Sequence, residues 1–168
     1  KGTVAFHTEG RLLQELGERL VAKADVALME LIKNAYDADA DQCTVEYDKQ
    51  TITISDDGHG MTEDEFILKW MHIATDSKQR ERESRSYGRK VTGAKGIGRF
   101  AVRFLGQKLK LETIAFIEEG SLEKTKLSID FDWKLLDKAT LLHEIKIPYT
   151  VTSAPPESTT GTQLIISE

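Results

Sequence analysis

Residues 28–40, LMELIKNAYDADA, decide the fold, because their spacing predicts a helix with one polar and one apolar face. On a period of about 3.6 residues, Glu30, Asn34 and Asp37 fall at i, i+4 and i+7 on one side. The opposite arc is apolar and suited to burial; it carries Leu28, Leu31, Ile32 and Ala35. An acid, an amide and a second acid in one stripe suit a site that holds a hydrated hard cation and orients a water. An amphipathic helix with its polar side in solvent is the alternative interpretation.

Composition bounds the class of protein. The 168 residues fit one domain, and 39% apolar with 30% charged residues is an ordinary soluble composition. The net charge of -5 argues mildly against nucleic-acid binding through the whole surface. No apolar run reaches membrane-spanning length and no signal peptide opens the chain, so we expect a cytoplasmic protein with no membrane partner. A start at Lys1 and an end in a strand-like run predict that residues 1–168 are the N-terminal piece of a longer protein.

Helical periodicity and capping signals predict the helices. Asp25 is the expected cap of the first helix quoted above, which should end near residues 39–41. Thr62 and Glu65 have the spacing of a capping box and open a helix that is predicted to last to about Ala74. Two further helical stripes lie at 11–21 and 96–105.

Alternating apolar residues predict the strands. Residues 43–47 and 51–55 read as a β-hairpin, and the later strands are predicted at 107–116, 121–132, 140–151 and 161–167. Helices in the first half and strands in the second indicate an α+β fold of two layers, with helices on one face of a mostly antiparallel mixed sheet. Cys43 is the only cysteine, which excludes a disulfide framework, and we expect a small core residue in a reducing compartment.

The end of the second hairpin strand is a candidate base-binding position. Ile52, Ile54 and Asp56 share one face of that strand, so Asp56 should arrive at the edge of the core. A carboxylate there needs hydrogen bonds, since an unpaired one costs on the order of several kcal/mol, and the amine of a purine is a suitable donor. Gly58 and Gly60 lack Cβ and would let the backbone approach a flat base. An ordinary Asp-Gly turn is the alternative.

A glycine-rich helix start suggests a phosphate site. Gly93, Gly96 and Gly98 precede a helix whose free N–H groups and dipole can cradle phosphate, and Lys95 adds a charge. The pattern matches neither the dinucleotide fingerprint nor the P-loop. Residues 78–99 carry eight basic side chains against two acids, which favours a nearby polyphosphate, although a solvated loop has the same composition. Residues 75–95 show no apolar period, which is typical of a functional lid or of disorder.

Together these stretches resemble the GHKL superfamily of gyrase B, the large heat-shock chaperone, histidine kinases and MutL-type proteins. The N-box ExxxNxxDA is matched by Glu30, Asn34, Asp37 and Ala38, the DxGxG box by Asp56, Gly58 and Gly60, and the GxxGxG box by Gly93, Gly96 and Gly98. The late Gly161-Thr162 is similar to the family's support for the adenine-reading Asp. The resemblance implies the Bergerat fold, an α/β sandwich that binds ATP with Mg²⁺ under a lid, here about 75–95.

The resemblance also implies roles for single residues. Glu30 would polarise the attacking water, Asn34 would ligate Mg²⁺ and Asp56 would read the adenine amine. The remaining nucleotide-contacting positions would be Asp37, Gly58, Gly60, Met61, Lys78, Gly93, Lys95, Gly96, Ile97, Gly98 and Thr162. Sensor kinases have an amide where this chain has Glu30, and only a carboxylate can act as a general base, so the chain resembles the hydrolytic branch. Within that branch, HIATDSK at 72–78 is similar to a stretch of MutL proteins, and GAKGIGRFA at 93–101 is similar to the corresponding stretch of MORC-like bacterial ATPases.

The predicted function is Mg-dependent ATP binding with slow hydrolysis that drives lid closure in a larger, homodimeric protein. Nucleic acid or a protein client would be reached through its other domains. A protein kinase on the same fold is one alternative, although it needs a phosphoacceptor helix that the sequence does not show; a nucleotide-sensing interaction domain without turnover is another. DNA processing, chaperoning and phage defence all stay open. His59 and His143 lack partners at metal-binding spacing, and Trp70 and Trp133 are expected in the core.

Overall fold

The computed structural model describes residues 23–72, 83–92, 102–135 and 145–168, which form a six-stranded sheet with helices on one face. The strands are β1 (Cys43–Asp48), β2 (Thr51–Asp56), β3 (Lys108–Phe116), β4 (Lys124–Asp132), β5 (Tyr149–Ala154) and β6 (Gly161–Ser167). Their order is β1-β2-β6-β3-β4-β5, and each of these pairings is antiparallel. The predicted α+β class, with helices on one face of a mostly antiparallel sheet, is confirmed; the sheet was predicted to be mixed, but no parallel pairing occurs among the described strands.

The described residues contain one long helix, α1 (Ala24–Asp37). The shorter helices are the single turn α2 (Glu63–Glu65), which runs into a π-helical turn (Phe66–Trp70), and α3 (Val102–Leu105). The capping box is confirmed, because Thr62 Oγ1 accepts from the Glu65 amide and the Glu65 carboxylate accepts from the Thr62 amide. The helical stripe at 11–21 and the start of the one at 96–105 lie outside the described residues.

Helix α1 differs from its prediction at both ends. It begins at Ala24 with Lys23 as the flanking residue, so the prediction of Asp25 as cap is wrong; Asp25 lies within the first turn. The helix ends at Asp37, and Asp39 follows with a φ of 61°. This left-handed conformation is one that Asp tolerates better than most residues, and it stops the helix before residues 39–41.

The predicted helix to Ala74 is also too long, because the helical structure ends at Trp70. After α2 the chain widens into the π-helical turn, closed by the Met71 amide donating to the Phe66 carbonyl at 2.9 Å. The wider turn brings the rings of Phe66 and Trp70 into a stack, with centroids 5.5 Å apart. The α-helix therefore does not continue past this point, and the stacked rings of Phe66 and Trp70 pack where its next turn would have been predicted.

The core lies between the helices and the inward face of the sheet. Leu109 and Leu111 of β3 and Leu127 and Ile129 of β4 are at most 1% exposed. Burial of each such side chain contributes about 1.5–3 kcal/mol. From the helical layer, Leu31 of α1 joins the same cluster. Trp133 is buried as predicted, while Trp70 and Cys43 are partly buried against the cluster, and burial raises the pKa of the Cys43 thiol.

The strand predicted at 140–151 is wrong in its placement. Residues 145–148 are irregular, and the strand runs instead from Tyr149 to Ala154. Pro148 has no N–H to donate to a ladder, and pairing with β4 begins directly after it, at Tyr149. The other late strands lie within their predicted ranges. Within the described residues, no helix is long and apolar enough to cross a membrane.

Candidate functional site

Asp56 lies at the end of β2, where the sheet register brings polar side chains together. Its direct neighbours across the strands are Cys43 on β1 and Thr162 on β6, and Thr162 is in turn opposite Thr113 on β3. Asp56 Oδ1 accepts from the Gly58 amide at 3.0 Å and from the Thr162 amide at 3.2 Å. Burial raises the pKa of Asp56, and these two N–H groups oppose that rise because they stabilise the carboxylate.

Thr113 completes this group of side chains and was not predicted. It is 1% exposed, and its Oγ1 accepts from the Met61 amide at 2.9 Å. The same oxygen lies 3.0 Å from the Gly161 carbonyl oxygen and 3.1 Å from Thr162 Oγ1. A sequence signal existed: Thr113 is the polar residue in the inward-facing alternation of β3, between Leu111 and Ala115.

The glycines at this site are required by contacts within the protein. A Cβ on Gly58 would lie 2.6 Å from the Ala38 carbonyl oxygen. That oxygen accepts a hydrogen bond from the His59 amide at 2.9 Å, which connects the turn after β2 to the end of α1. Gly60 has a φ of 67°, and a Cβ there would meet the Ile114 carbonyl oxygen at 2.0 Å. These packing requirements explain the two glycines without a ligand. The close approach of a base to Gly58, Gly60 and Met61 stays a prediction.

Glu30 and Asn34 lie on α1, one turn apart. Glu30 Oε1 pairs with Lys33 Nζ at 2.8 Å, and the Glu30 side chain is 29% exposed. This pair was not predicted from the sequence, although i, i+3 spacing on a helix is the signal for it.

Asp37, at the last position of α1, contacts the segment 83–92. Its Oδ1 accepts from both the amide and the hydroxyl of Thr92, at 2.8 and 3.0 Å. Two residues on, Asp39 Oδ2 accepts from the Ser86 amide at 2.7 Å. Two carboxylates at the end of α1 therefore hold the described part of the predicted lid. Direct contact between Asp37 and a nucleotide stays a prediction.

Arg89 adds further contacts between the same segment and the end of α1. Its guanidinium donates to the Ala40 carbonyl at 2.8 Å and lies over the rings of Tyr36 and Tyr87, 4.9 and 4.6 Å from their centroids. Arg85 pairs with the Glu65 carboxylate. These two arginines bind groups of the protein itself, so the basic excess of 78–99 is not all directed at a phosphate. Six predicted contact residues lie outside the described residues: Lys78, Gly93, Lys95, Gly96, Ile97 and Gly98.

No group of three or more His, Cys, Asp or Glu within the described ranges could hold a metal ion. Mg²⁺ does not require such a cage, since it is usually bound by one or two side chains together with phosphates and waters. The amide of Asn34 one turn from the carboxylate of Glu30 fits that requirement. His59 Nδ1 lies 2.6 Å from the Gly60 carbonyl oxygen, and burial lowers the pKa of its imidazole. His143 lies outside the described residues.

Comparison with known proteins agrees with this geometry. The sequence model of a family described as histidine kinase-, DNA gyrase B-, and HSP90-like ATPase matches residues 22–155, most of the chain. A similar protein is the putative type II restriction enzyme HgiDII of Herpetosiphon aurantiacus, 32% identical over 90 residues. Those residues are 54% of this chain and 15% of the relative, so the chain matches a small part of that protein's length.

Proposed function

The chain belongs to the family of histidine kinase-, DNA gyrase B- and HSP90-like ATPases, and on that premise we propose that it binds ATP with Mg²⁺ and hydrolyses it slowly. Membership of the family implies ATP binding; the hydrolysis and the metal are the proposal. In the larger protein, turnover would close residues 75–95 over the nucleotide and drive a conformational change, within a homodimer in the cytoplasm.

The hydrogen bonding of Asp56 carries the proposal. Two backbone amides hold Oδ1, whereas Oδ2 accepts no hydrogen bond from any residue that the structure describes. An oriented, partly buried carboxylate with one oxygen available suits a ligand that brings an N–H donor into the sheet edge. The 6-amino group of adenine is such a donor.

Residues of α1 supply the chemistry of hydrolysis in this proposal. The amide oxygen of Asn34 is the protein ligand for Mg²⁺, which, when bound, places positive charge beside the transferring phosphate. Glu30 accepts a proton from the attacking water as general base. Lys33, 2.8 Å from Glu30 Oε1, holds that carboxylate in place on the helix surface.

Two alternatives share the same binding site. A protein kinase would transfer the phosphate to a side chain, and would leave Glu30 without a role as base. A nucleotide-sensing interaction domain would bind ATP and change shape without turnover. Glu30, a carboxylate one turn before Asn34, supports hydrolysis over both alternatives, because it can deprotonate a water.

The process served is proposed from the relative. HgiDII is named a restriction enzyme, which favours nucleic acid as the client of the larger protein, reached through other domains. The chain itself has a net charge of -5, so its own surface is a poor general binder of nucleic acid.

Phosphate release and phosphate transfer together test the proposal. Wild-type protein with Mg-ATP should release inorganic phosphate, and Glu30→Gln, which keeps the size of the side chain, should bind ATP but lose release. Labelled phosphate on the protein would instead support a kinase. Equal release from wild type and Glu30→Gln would exclude Glu30 as the base, and binding without release in either would support the sensing domain.

A further inference from the structure

Thr113 is a buried hydroxyl whose neighbours determine where its hydrogen points. It lies on β3 directly opposite Thr162 on β6, which is directly opposite Asp56 on β2. The three side chains therefore form one row across adjacent strands, on the face that packs against the helices. The polar neighbours of Thr113 Oγ1 are the Met61 amide, the Gly161 carbonyl oxygen and Thr162 Oγ1, at 2.9, 3.0 and 3.1 Å.

A count of donors and acceptors assigns each of these hydrogen bonds. A hydroxyl has one hydrogen to donate and two lone pairs to accept with. The Gly161 carbonyl can only accept, so the Thr113 hydrogen goes to it, and the Met61 amide donates to one lone pair of Thr113. The remaining lone pair faces Thr162, so the Thr162 hydroxyl is the donor in the contact between the two threonines.

This arrangement fixes the polarity of Thr162. Its only hydrogen is used within the protein, so the hydroxyl offers nothing but lone pairs to a ligand. Ionised Asp56, whose Oδ1 accepts the Thr162 amide at 3.2 Å, also only accepts. A purine 6-amino group brings donors to this pair of acceptors, whereas a 6-oxo group brings a third acceptor and leaves polar groups unpaired.

We propose that Thr113 is a specificity-determining positioning residue of the base site: by taking the hydroxyl hydrogen of Thr162, it keeps the Asp56–Thr162 pair selective for a 6-amino over a 6-oxo purine. This inference rests on the proposed function, because it assumes that the base is bound at Asp56. Thr113 itself does not contact the base.

Calorimetry with three Mg-triphosphates tests the inference: ATP, inosine triphosphate with its 6-oxo group, and purine riboside triphosphate with hydrogen at that position. Thr113→Val keeps the shape of the side chain but frees the Thr162 hydrogen, which can then be donated to a 6-oxo group. The ratio of ATP to inosine triphosphate affinity should fall about tenfold, the effect of one hydrogen bond. Thr113→Ser keeps the hydroxyl and should keep the ratio. Thermal melting of both variants checks folding.

A second variant keeps the test decisive if Thr113→Val does not fold. Thr162→Val removes the acceptor and should weaken ATP about tenfold while leaving purine riboside triphosphate, which has no 6-amino group, unchanged. Equal weakening of both ligands would mean that Thr162 does not read the amine, and would overturn the inference.

The outcomes also distinguish a failure of the proposed function from a failure of this inference. A wild-type protein that binds none of the three triphosphates overturns the proposed function and this inference with it. A wild type that prefers ATP to inosine triphosphate, with an unchanged ratio in Thr113→Val, overturns the inference alone.

Discussion

Asp37 and Thr92, 55 residues apart in the chain, are joined by two hydrogen bonds to a single carboxylate oxygen. Asp37 ends the helix that carries Glu30 and Asn34, and Thr92 directly precedes Gly93, the first glycine of the predicted phosphate cradle. The bond pair thus connects the proposed catalytic helix to the chain that leads into the cradle. Residues 83–92 are attached to the rest of the domain at this point as well as through Arg89.

Asp56→Asn should weaken ATP binding about ten- to a hundredfold. The substitution replaces an acceptor-only group by one that also presents donors to the base amine, and loss of a charged hydrogen bond costs roughly 1.5–3 kcal/mol. Calorimetry with Mg-ATP measures the effect. Glu112→Gln, on the outward face of β3, is the matched control and should bind ATP as wild type does. Unchanged affinity in Asp56→Asn would remove Asp56 from the base site.

The same substitution should change how the free energy of unfolding depends on pH. Burial raises the pKa of Asp56 above its ordinary value of 3.8, so the folded protein holds this proton to a higher pH than the unfolded chain does. The contribution of this group to the free energy of unfolding is therefore present at low pH, and it is lost as the pH rises from the pKa of the unfolded chain through the higher pKa of the folded protein. Asp56→Asn should gain stability relative to wild type as pH increases from 4 to 7, measured by denaturant unfolding.

Glu112 supplies a control of opposite sign for that experiment. Its hydrogen bond from Lys126, at 2.7 Å, lowers the pKa of Glu112 below the ordinary 4.5. The stability that it contributes is present at neutral pH and is lost as pH falls through this range. Glu112→Gln should therefore lose stability relative to wild type as pH increases. If both variants shifted in the same direction, the assigned origin of the Asp56 shift would be wrong.

Glu30→Ala and Asn34→Ala should separate turnover from binding. Loss of a positioned general base typically lowers a rate about 10²- to 10⁴-fold, so Glu30→Ala should bind Mg-ATP and release almost no phosphate. Asn34→Ala removes a cation ligand and should weaken the Mg-dependent part of binding itself. Lys33→Met removes only the exposed pair with Glu30, which is worth about 0.3–0.5 kcal/mol, and should leave the affinity for Mg-ATP unchanged. Identical binding losses in the Glu30 and Asn34 variants would contradict this division of roles.

The parts of the fold that depend on local spacing could be predicted from the sequence. The helix carrying Glu30, the hairpin, the capping box of Thr62 and the strand at 161–167 all follow from periods of 3.6 or 2 residues and from cap chemistry. The strand predicted at 140–151 was placed wrongly, because the alternating pattern was followed across Pro148 although the strand begins only at Tyr149.

Long-range contacts of the site could not be predicted in the same way. The bonds from Thr92 to Asp37 and from Arg89 to Ala40 join residues 55 and 49 positions apart, and no spacing rule reaches that far. Arg89 and Arg85 were counted as phosphate-facing cations because composition records charge without its partners. Thr113 could have been noticed as a polar residue on a buried face, but its neighbours, Met61 and the pair Gly161 and Thr162, lie about fifty positions away on either side in the chain.

Hydrogen exchange should show that residues 83–92 are protected before any nucleotide is added. The amides of Ser84, Ser86, Arg89 and Thr92 all donate hydrogen bonds, to Arg89, Asp39, Ser84 and Asp37 respectively. Such amides exchange only when the local structure opens. This sharpens the expectation from sequence, in which the whole of 75–95 is mobile without ATP and becomes ordered over it: protection of 83–92 should be present already, and addition of a non-hydrolysable ATP analogue should increase protection elsewhere in 75–95.

Asp37→Ala should raise the exchange rate of the Thr92 amide in the free protein, because it removes the acceptor of both Thr92 bonds, each worth about 0.5–1.5 kcal/mol. Asp37→Asn retains a carbonyl oxygen and should keep most of the protection, and the Ser86 amide, held by Asp39, is the internal reference. Loss of protection at Ser86 as well would mean that 83–92 opens as one unit rather than bond by bond. Rapid exchange across 83–92 in the wild-type protein would contradict the anchoring altogether, since the bonds from Asp37, Asp39 and Arg89 would then be too weak to hold the segment on α1.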